Sequence, residues 1–224
     1  LNDTGESLKA YNLFVNDVPL YGFAGKKISG RHARIKEHVE LSSGENKIEV
    51  QCRNRRGGES IRALVYARYA PKVKGDLYYI GFGISKFQDK SLNLKYADKD
   101  ARDLERAMAL LNNGFDQVHT KTFLNEEVSV DSFVEAKAFL KNAKVDDTVV
   151  LFIAGHGIHD TDAQATYYYL TYNADVNNLA GTAANFDRIE DILQQIAPRK
   201  KLLLMDTCDS GEVDDAIADT GFSL

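Results

Sequence analysis

The chain has 224 residues, of which 44% are hydrophobic and 27% charged, a composition typical of a globular protein with one large domain or two smaller ones. Two cysteines are too few for a disulfide framework, no Cys/His cluster has the spacing of a zinc site, and no apolar run approaches the roughly 20 residues that span a bilayer. Because no targeting segment is recognisable, we expect a cytoplasmic protein without a membrane span. The chain does not begin with Met, so we expect a fragment or a processed product.

The net charge of −5 is divided unequally along the chain. Residues 1–74 carry 14 Lys/Arg and 8 Asp/Glu, a net charge of +6, whereas residues 75–224 carry 14 and 25, a net charge of −11. A nucleic-acid backbone requires a positive protein surface, so the acidic second part argues against nucleic acid as a partner. It suits a basic ligand or a divalent cation, although a solvated acidic surface explains it equally well.

Residues 1–74 have the sequence pattern of β-structure. Apolar and polar residues alternate in YNLFVNDVPL, and two strands joined by a turn at Gly57-Gly58 are indicated by GENKIEVQCRNRRGGESIRALVYARY. Cys52 falls on the apolar side of this alternation and is interpreted as a core residue. The segment LSSGENKIEVQCRNRRGGES resembles the closing hairpin of immunoglobulin-like β-sandwich modules in modular bacterial proteins. We therefore expect a small all-β, sandwich-like domain over residues 1–74, ending in the linker YAPKVK.

From residue 75 onward, the pattern changes to alternating strands and helices. Short apolar runs suited to buried strands are DLYYIGFGI (76–84), FDQVHTKTFL, DTVVLFIAG (147–155) and KKLLLMDT. Helical periodicity is present in YADKDARDLERAMALLNN (96–113), SVDSFVEAKAFLKNA and ANFDRIEDILQQIA. The alternation predicts an α/β domain over residues 75–224, with a mainly parallel sheet flanked by helices. The stretch ATYYYLTYNAD (165–175) interrupts the alternation and is expected to form an extra hairpin.

Two of the predicted strands end in residues that can carry chemistry. The run VVLFIAGHG ends at His156 between two glycines, and KLLLMDTC ends at Cys208. Because ligands bind where the carboxyl ends of parallel strands meet, we expect the thiol and the imidazole to lie within hydrogen-bonding reach. Such an imidazole draws off the thiol proton and generates a nucleophilic thiolate. Each residue alone is more simply structural, but together, with Gly157 and Gly211 beside them, they indicate a nucleophile and its base.

The motifs FIAGHG and MDTCDSG resemble the histidine and cysteine motifs of caspase-like peptidases, most closely the metacaspases and their bacterial relatives. His156 precedes Cys208 by 52 positions, against about 50 in caspases. The segment LYYIGFGISKFQDKSLNLKYADKDARDL is similar to the first strand, loop and helix of that family, and the resemblance covers residues 76–215. It implies a caspase-like cysteine endopeptidase in which His156 is the general base and Cys208 the nucleophile. The N–H groups of Gly157 and Cys208 would form the oxyanion hole, and no third carboxylate is required.

The same resemblance implies a substrate preference. Caspases that cut after aspartate carry Gln two residues before the cysteine, where this chain has Asp206. Metacaspases place an acid there and another at the start of the first helix, where Asp100 falls, with Asp98 as a neighbouring candidate. Two carboxylates in one pocket would bind Arg or Lys and repel an acidic side chain, so cleavage after basic residues is expected. The simpler interpretation of Asp100 is an exposed acid in the first helical turn.

The end of the chain bears on cofactors and partners. The tail after Cys208 holds five acids: Asp209, Glu212, Asp214, Asp215 and Asp219. Some metacaspases need calcium, but this spacing matches no calcium loop, so we expect no required cofactor and Ca²⁺ only as an optional activator. In this family a small subunit follows the cysteine region, so the expected partner is a small-subunit chain or the C-terminal remainder of the same precursor, with activation by proteolytic processing.

The sequence leaves two questions open. No Lys or Arg follows Lys201, so self-cleavage at Leu224 would contradict a basic preference unless the new end is trimmed. The competing hypothesis is a catalytically silent caspase-like adaptor in which the fold serves assembly.

Overall fold

The structure, a computed structural model, describes residues 5–161 and 164–207. The chain divides into two compact units, and the division falls between Val73 and Lys74. Within the described residues, no helix is long and apolar enough to cross a membrane.

The first unit is built on one antiparallel sheet of five strands. The strands are β1 (Leu8–Val15), β2 (Val18–Pro19), β3 (Lys26–Lys27), β4 (Gly44–Asn54) and β5 (Ala63–Tyr69). Their order is β2-β1-β4-β5, and β3 also pairs with β1. Asn16 and Asp17 both have positive φ, which is the backbone of a tight hairpin turn between β1 and β2. The all-β character expected for this part of the chain is confirmed.

The core of the first unit lies on one face of this sheet. Leu8, Tyr11 and Cys52 form a buried cluster, and the irregular segment after β3 packs Ala33 and Ile35 against it. The Cys52 thiol is free and buried, which confirms its interpretation as a core residue. In contrast, the edge strand β5 leaves large apolar side chains exposed, among them Leu64, Val65 and Tyr66.

The second unit is an α/β structure with two sheets. Its strands are β6 (Leu77–Gly83), β7 (Val118–Leu124), β8 (Thr148–Gly155), β9 (Gly157–His159), β10 (Tyr167–Tyr169), β11 (Ala184–Asn185) and β12 (Lys200–Thr207). Its helices are α1 (Ala97–Ala109), α2 (Val130–Phe139), α3 (Leu179–Thr182) and α4 (Phe186–Leu193). Short 3₁₀ turns lie at Lys90–Leu92, Leu111–Asn113, Asn125–Glu127 and Leu140–Asn142.

The main sheet has the order β12-β8-β6-β7, and all three of its pairings are parallel. On one face, Tyr79 packs with Ala97 and Ala101 of α1. On the other face, the Phe82 ring stacks on Phe133 of α2, with ring centroids 4.5 Å apart. All seven residues of β6 are buried because helices cover both faces of this central strand. The expected parallel sheet flanked by helices is confirmed.

The helices follow the sequence signals with shorter ends than expected. The pattern predicted a helix over residues 96–113, but α1 ends at Ala109 and the chain continues as a 3₁₀ turn. Ser129 caps α2 by accepting a hydrogen bond from the Ser132 N–H, and Asn185 caps α4 in the same way. These caps explain why both helices begin where they do.

The second sheet is small and antiparallel, with the order β11-β10-β9. The stretch 165–175 was expected to form a hairpin by itself, but it contributes only the central strand β10. Its partners come from either side in sequence, since Tyr168 pairs with both Ile158 and Asn185. Because β9 begins one residue after His156, this sheet fixes the chain just beyond the main sheet.

Candidate active site

The carboxyl edge of the main sheet brings the ends of three strands to one level. The parallel registers pair Gly83 with Ala154 and Ala154 with Asp206. One residue further along, Gly155 pairs with Thr207, the last residue that the structure describes on β12. Side chains that follow these strands therefore collect along one edge, as expected for an open parallel sheet.

His156 follows β8 directly, and its ring is held by a backbone carbonyl. Its Nε2 lies 2.9 Å from the carbonyl oxygen of Leu92, which can only accept a hydrogen bond. Nε2 therefore carries the proton, and the lone pair of the neutral ring is on Nδ1. The ring of Phe87 lies against the imidazole at 5.4 Å between centroids. The half-buried imidazole is thus fixed in both orientation and tautomer.

The backbone on either side of His156 is equally constrained. Gly155 has a φ of +153°, and a Cβ there would lie 3.0 Å from the ring of Tyr169, so a side chain would be strained at this position. The Tyr169 hydroxyl donates to the Ala154 carbonyl at 2.9 Å. Burial raises the pKa of Tyr169 well above its ordinary value, so the phenol remains a donor. This buried tyrosine anchors the strand end that carries the histidine.

Gly157 begins β9 and is buried. The Leu170 N–H donates to the His156 carbonyl at 2.9 Å, and Tyr169 is the residue opposite Gly157. The bond from Leu170 to His156 makes these two residues a hydrogen-bonded pair. Hydrogen-bonded and non-bonded pairs alternate along an antiparallel ladder, so the next pair, Gly157 and Tyr169, is non-bonded. Its N–H therefore points away from β10.

Cys208 and Gly211 lie outside the described residues. The described chain ends at Thr207, whose Oγ1 shares a hydrogen bond of 2.6 Å with the Tyr167 hydroxyl. This contact joins the end of β12 to the same small sheet that begins beside His156.

The two acids at the start of α1 have different environments. The Asn125 amide donates to the Asp98 carboxylate at 3.3 Å, and the Ser85 hydroxyl accepts the Asp98 N–H at 3.0 Å. Burial alone would raise the pKa of Asp98, but hydrogen bonds from Ser85 and Asn125 outweigh it and the pKa lies below its ordinary value. In the described part of the chain, the carboxylate of the half-buried Asp100 makes no hydrogen bond or ion pair.

Asp206 is exposed and lies on the same side of the sheet as α1. Its neighbours two and four residues earlier, Leu204 and Leu202, are also exposed on that side. Gly83 permits α1 to begin close to this edge, since a Cβ there would lie 2.5 Å from the Ala97 carbonyl oxygen. Helix α1 therefore begins directly above the end of β6.

A family model described as the caspase domain matches residues 80–223, more than half of the chain. The chain belongs to the caspase-domain family. The match includes most of the main parallel sheet, α1 and the region of both His156 and Cys208, so the resemblance to caspase-like peptidases is confirmed at the level of the family. The family is one of peptidases, although a caspase domain can also be catalytically inactive.

Solved structures include distant similarities to this chain. Among solved structures, protein GSU0716 from Geobacter sulfurreducens is similar, with 15% identity and a TM-score of 0.47. The match covers 66% of this chain and 56% of that protein, so the chain spans little more than half of its length. No curated protein matches the sequence.

One participant in this caspase domain could not be found from the sequence. The partner of His156 is the Leu92 carbonyl, and every residue has a carbonyl, so no residue type marks its position. The loop that carries Leu92 lies 64 positions before the histidine, and only the fold brings the two together.

Metal binding was expected only as an option at the tail acids after Cys208, and all five lie outside the described residues. Within the residues that the structure does describe, no group of three or more His, Cys, Asp or Glu side chains could hold a metal ion.

Proposed function

We propose that this caspase domain is a cysteine endopeptidase that cleaves after Arg or Lys, with Cys208 as nucleophile and His156 as general base. The observation that carries the proposal is the register of the two strands that precede these residues. Thr207 pairs with Gly155, so the next residues along the two parallel strands are Cys208 and His156. Adjacent strands lie about 4.8 Å apart, a separation that a thiol and an imidazole can bridge with a hydrogen bond.

The tautomer of His156 suits this role. Because Nε2–H is bonded to the Leu92 carbonyl, Nδ1 is the atom that accepts the thiol proton. The thiolate attacks the scissile carbonyl, and the N–H groups of Gly157 and Cys208 stabilise the oxyanion. The imidazolium returns its proton to the leaving amine, which departs as the thioester forms. Water then attacks the thioester, again with His156 as base, and releases the acid and the free thiol.

The preference for basic residues is proposed from the positions of Asp100 and Asp206. Gly83, over which α1 begins, and Asp206 are at the same level and two strands apart, about 10 Å. A carboxylate from the first turn of α1 and one from the end of β12 can therefore face one pocket. Asp100 is the better candidate in α1, because hydrogen bonds from Ser85 and Asn125 already engage the carboxylate of Asp98. Arg or Lys would bind between two such carboxylates by charge-assisted hydrogen bonds.

We further propose that the protein is of the metacaspase type, with an immunoglobulin-like module over residues 1–74 and the catalytic domain over residues 75–224. The proposed partner is a small-subunit chain or the C-terminal remainder of the precursor, released by proteolytic processing. Among the described residues, β12 pairs only with β8, which leaves one side of this strand to accept a further strand. Calcium is proposed only as an optional activator.

The test is a panel of peptides with Arg, Lys, Asp or Asn before the scissile bond, offered to the full-length protein with and without calcium. We expect cleavage after Arg and Lys, loss of cleavage in Cys208→Ala, and unchanged cleavage in Cys52→Ala, which removes the buried thiol of the other unit. Cleavage after Asp alone would overturn the roles of Asp100 and Asp206. Full activity of Cys208→Ala would overturn the mechanism itself.

A further inference from the structure

Asn125 is a buried polar residue at the carboxyl end of β7, outside the dyad and the proposed pocket. It begins the 3₁₀ turn after that strand, is 8% exposed and has a φ of +49°. Asparagine adopts this left-handed conformation more readily than most residues. Its side-chain amide has a hydrogen-bonding partner for both its oxygen and its nitrogen, so burial leaves neither atom unsatisfied.

The amide oxygen of Asn125 holds the loop that follows β6. It accepts hydrogen bonds from the N–H groups of Ser85 and Lys86, both at 2.9 Å. The Ser85 carbonyl accepts the Leu94 N–H at 2.9 Å, which closes the loop. Leu92, whose carbonyl holds His156, lies within this closed loop. The oxygen of Asn125 is therefore connected to the histidine through one loop.

The amide nitrogen of Asn125 holds the start of α1. It donates to the Asp98 carboxylate at 3.3 Å, and Ser85 binds the Asp98 N–H. Asp100 lies in the same helical turn, and its own N–H is bonded to the Tyr96 carbonyl at 2.8 Å. A displacement of this turn would displace the Asp100 carboxylate with it.

We infer that Asn125 is a positioning residue that sets two parts of the site with one side chain. Its oxygen fixes the loop that orients His156, and its nitrogen fixes the turn that presents Asp100 to a basic substrate side chain. The inference rests on the proposed function, since it assigns consequences to catalysis and to substrate binding. Neither consequence follows if Asn125 only stabilises the fold.

The first experiment removes both the oxygen and the nitrogen of the Asn125 amide. In Asn125→Ala of the full-length protein, we expect kcat/KM for an Arg peptide to fall about 10- to 100-fold, with kcat lowered and KM raised. The matched control is Ser129→Ala, four residues along, which removes the cap of α2 and lowers the melting temperature. The control is expected to leave kcat and KM unchanged. Equal kinetic losses in both variants would reduce the role of Asn125 to stability and overturn the inference.

The second experiment separates the role of the amide oxygen of Asn125 from that of the amide nitrogen. Asn125→Asp keeps an oxygen that accepts from Ser85 and Lys86 but sets a carboxylate against Asp98. We expect KM for the Arg peptide to rise about tenfold while kcat stays near that of the wild type. The reciprocal variant Asn125→Asp/Asp98→Asn restores a donor–acceptor pair with the groups exchanged, and we expect it to return KM to within about threefold of the wild type. A KM that stays raised in the double variant would overturn the inference.

The outcomes separate this inference from the proposed function. A wild-type protein that hydrolyses none of the peptides contradicts the proposed function and the inference with it. A wild-type protein that cleaves after Arg, but whose kcat and KM are matched by Asn125→Ala, contradicts the inference alone.

Discussion

The two units of this chain each centre on a sheet, and one strand from each sheet shows a contrast in burial. Every residue of β6 in the second unit is buried, whereas no residue of β5 in the first unit is. Strand β6 lies between two parallel neighbours with helices on both faces, while β5 has a partner on one side only within the described residues. A strand covered on all sides must be apolar throughout, and an antiparallel edge strand need not be.

This difference decides which side chains acquire fixed positions. His156 follows a strand whose last seven residues are buried, and a carbonyl and an aromatic ring hold its imidazole. His32 and His38 of the first unit are exposed on the irregular segment after β3. The same residue type is therefore a candidate catalyst in one unit and a surface residue in the other. Three pairs of substitutions, each pair with one residue from either unit, test this contrast.

The largest effect is expected from the histidines. His156→Ala removes the proposed base, and we expect kcat on an Arg peptide to fall by at least about 1,000-fold. His32→Ala is the matched control in the first unit and should leave kcat unchanged. Steady-state kinetics on the full-length protein measure both. A decrease in kcat of less than about tenfold in His156→Ala would show that His156 is not the general base. It would also contradict the contrast between the two units.

Two lysines are expected to give pH dependences of opposite sign. Burial and the nearby Arg199 lower the pKa of Lys201 from 10.5 to about 8, and its ammonium donates to the Leu193 carbonyl. Hydrogen bonds with Asp17 and then Glu49 raise the pKa of Lys47 above 10.5. Between pH 8 and 10.5, unfolded Lys201 binds more protons than folded Lys201, so its contribution to stability rises with pH. The stabilisation of the fold by charged Lys47 is present below pH 10.5 and is lost as the pH rises past the pKa of Lys47 in the folded protein.

The measurement is the free energy of unfolding of the wild type and of Lys201→Met and Lys47→Met at several pH values. The free energy of unfolding of the wild type minus that of Lys201→Met should grow by up to about 3 kcal/mol from pH 8 to 10.5. The corresponding difference in free energy of unfolding between the wild type and Lys47→Met should begin to fall as the pH passes 10.5. A difference for Lys201 that is flat with pH would show that its ammonium is not desolvated in the fold.

Two glycines are expected to give the smallest effects, for unlike reasons. A Cβ on Gly83 would lie 2.5 Å from the Ala97 carbonyl oxygen and 2.8 Å from the Ala101 Cβ, so Gly83→Ala would push α1 off the sheet. A Cβ on Gly44 meets nothing within 4 Å, but the φ of this glycine is +91°. We expect a loss of about 2 kcal/mol from overpacking at Gly83 and about 1 kcal/mol from backbone strain at Gly44.

Denaturant unfolding of both glycine variants provides the stabilities, and a substrate titration provides a second reading. Only Gly83→Ala should also raise KM for an Arg peptide, because it moves the turn that carries Asp100. A Gly83→Ala variant with the stability and KM of the wild type would contradict the close approach of α1 to β6.

The sequence was sufficient for the main sheet because its strands carry their own signal. Residues 77–84 and 149–155 are continuous apolar runs that follow polar residues, and they correspond to β6 and β8. The stretch 165–175 was harder, because β10 finds both partners outside it. A local pattern indicates that a segment is extended, but not which strands it joins.

For the candidate site, residue types make His156 and the nearby acids candidates, but they do not show the contacts that support these side chains. The Leu92 carbonyl is a backbone group, and Asn125 is one polar residue after a strand, a position that usually indicates a turn. The different surroundings of Asp98 and Asp100 also required coordinates, since both acids occupy the first turn of α1. Spacing along the chain could not show which carboxylate was already engaged.

The pairing of β8 with β12 has a consequence for the order in which the chain folds. Thr148 pairs with Lys200, so this ladder closes a loop that contains all of residues 149–199. Pairing strands so distant in sequence costs loop-closure entropy before any contact compensates for it, whereas β4 and β5 form a local hairpin. We therefore expect β12 to join the sheet late during synthesis. A site that needs the ends of both strands would then stay inert in the nascent chain until the sheet is complete.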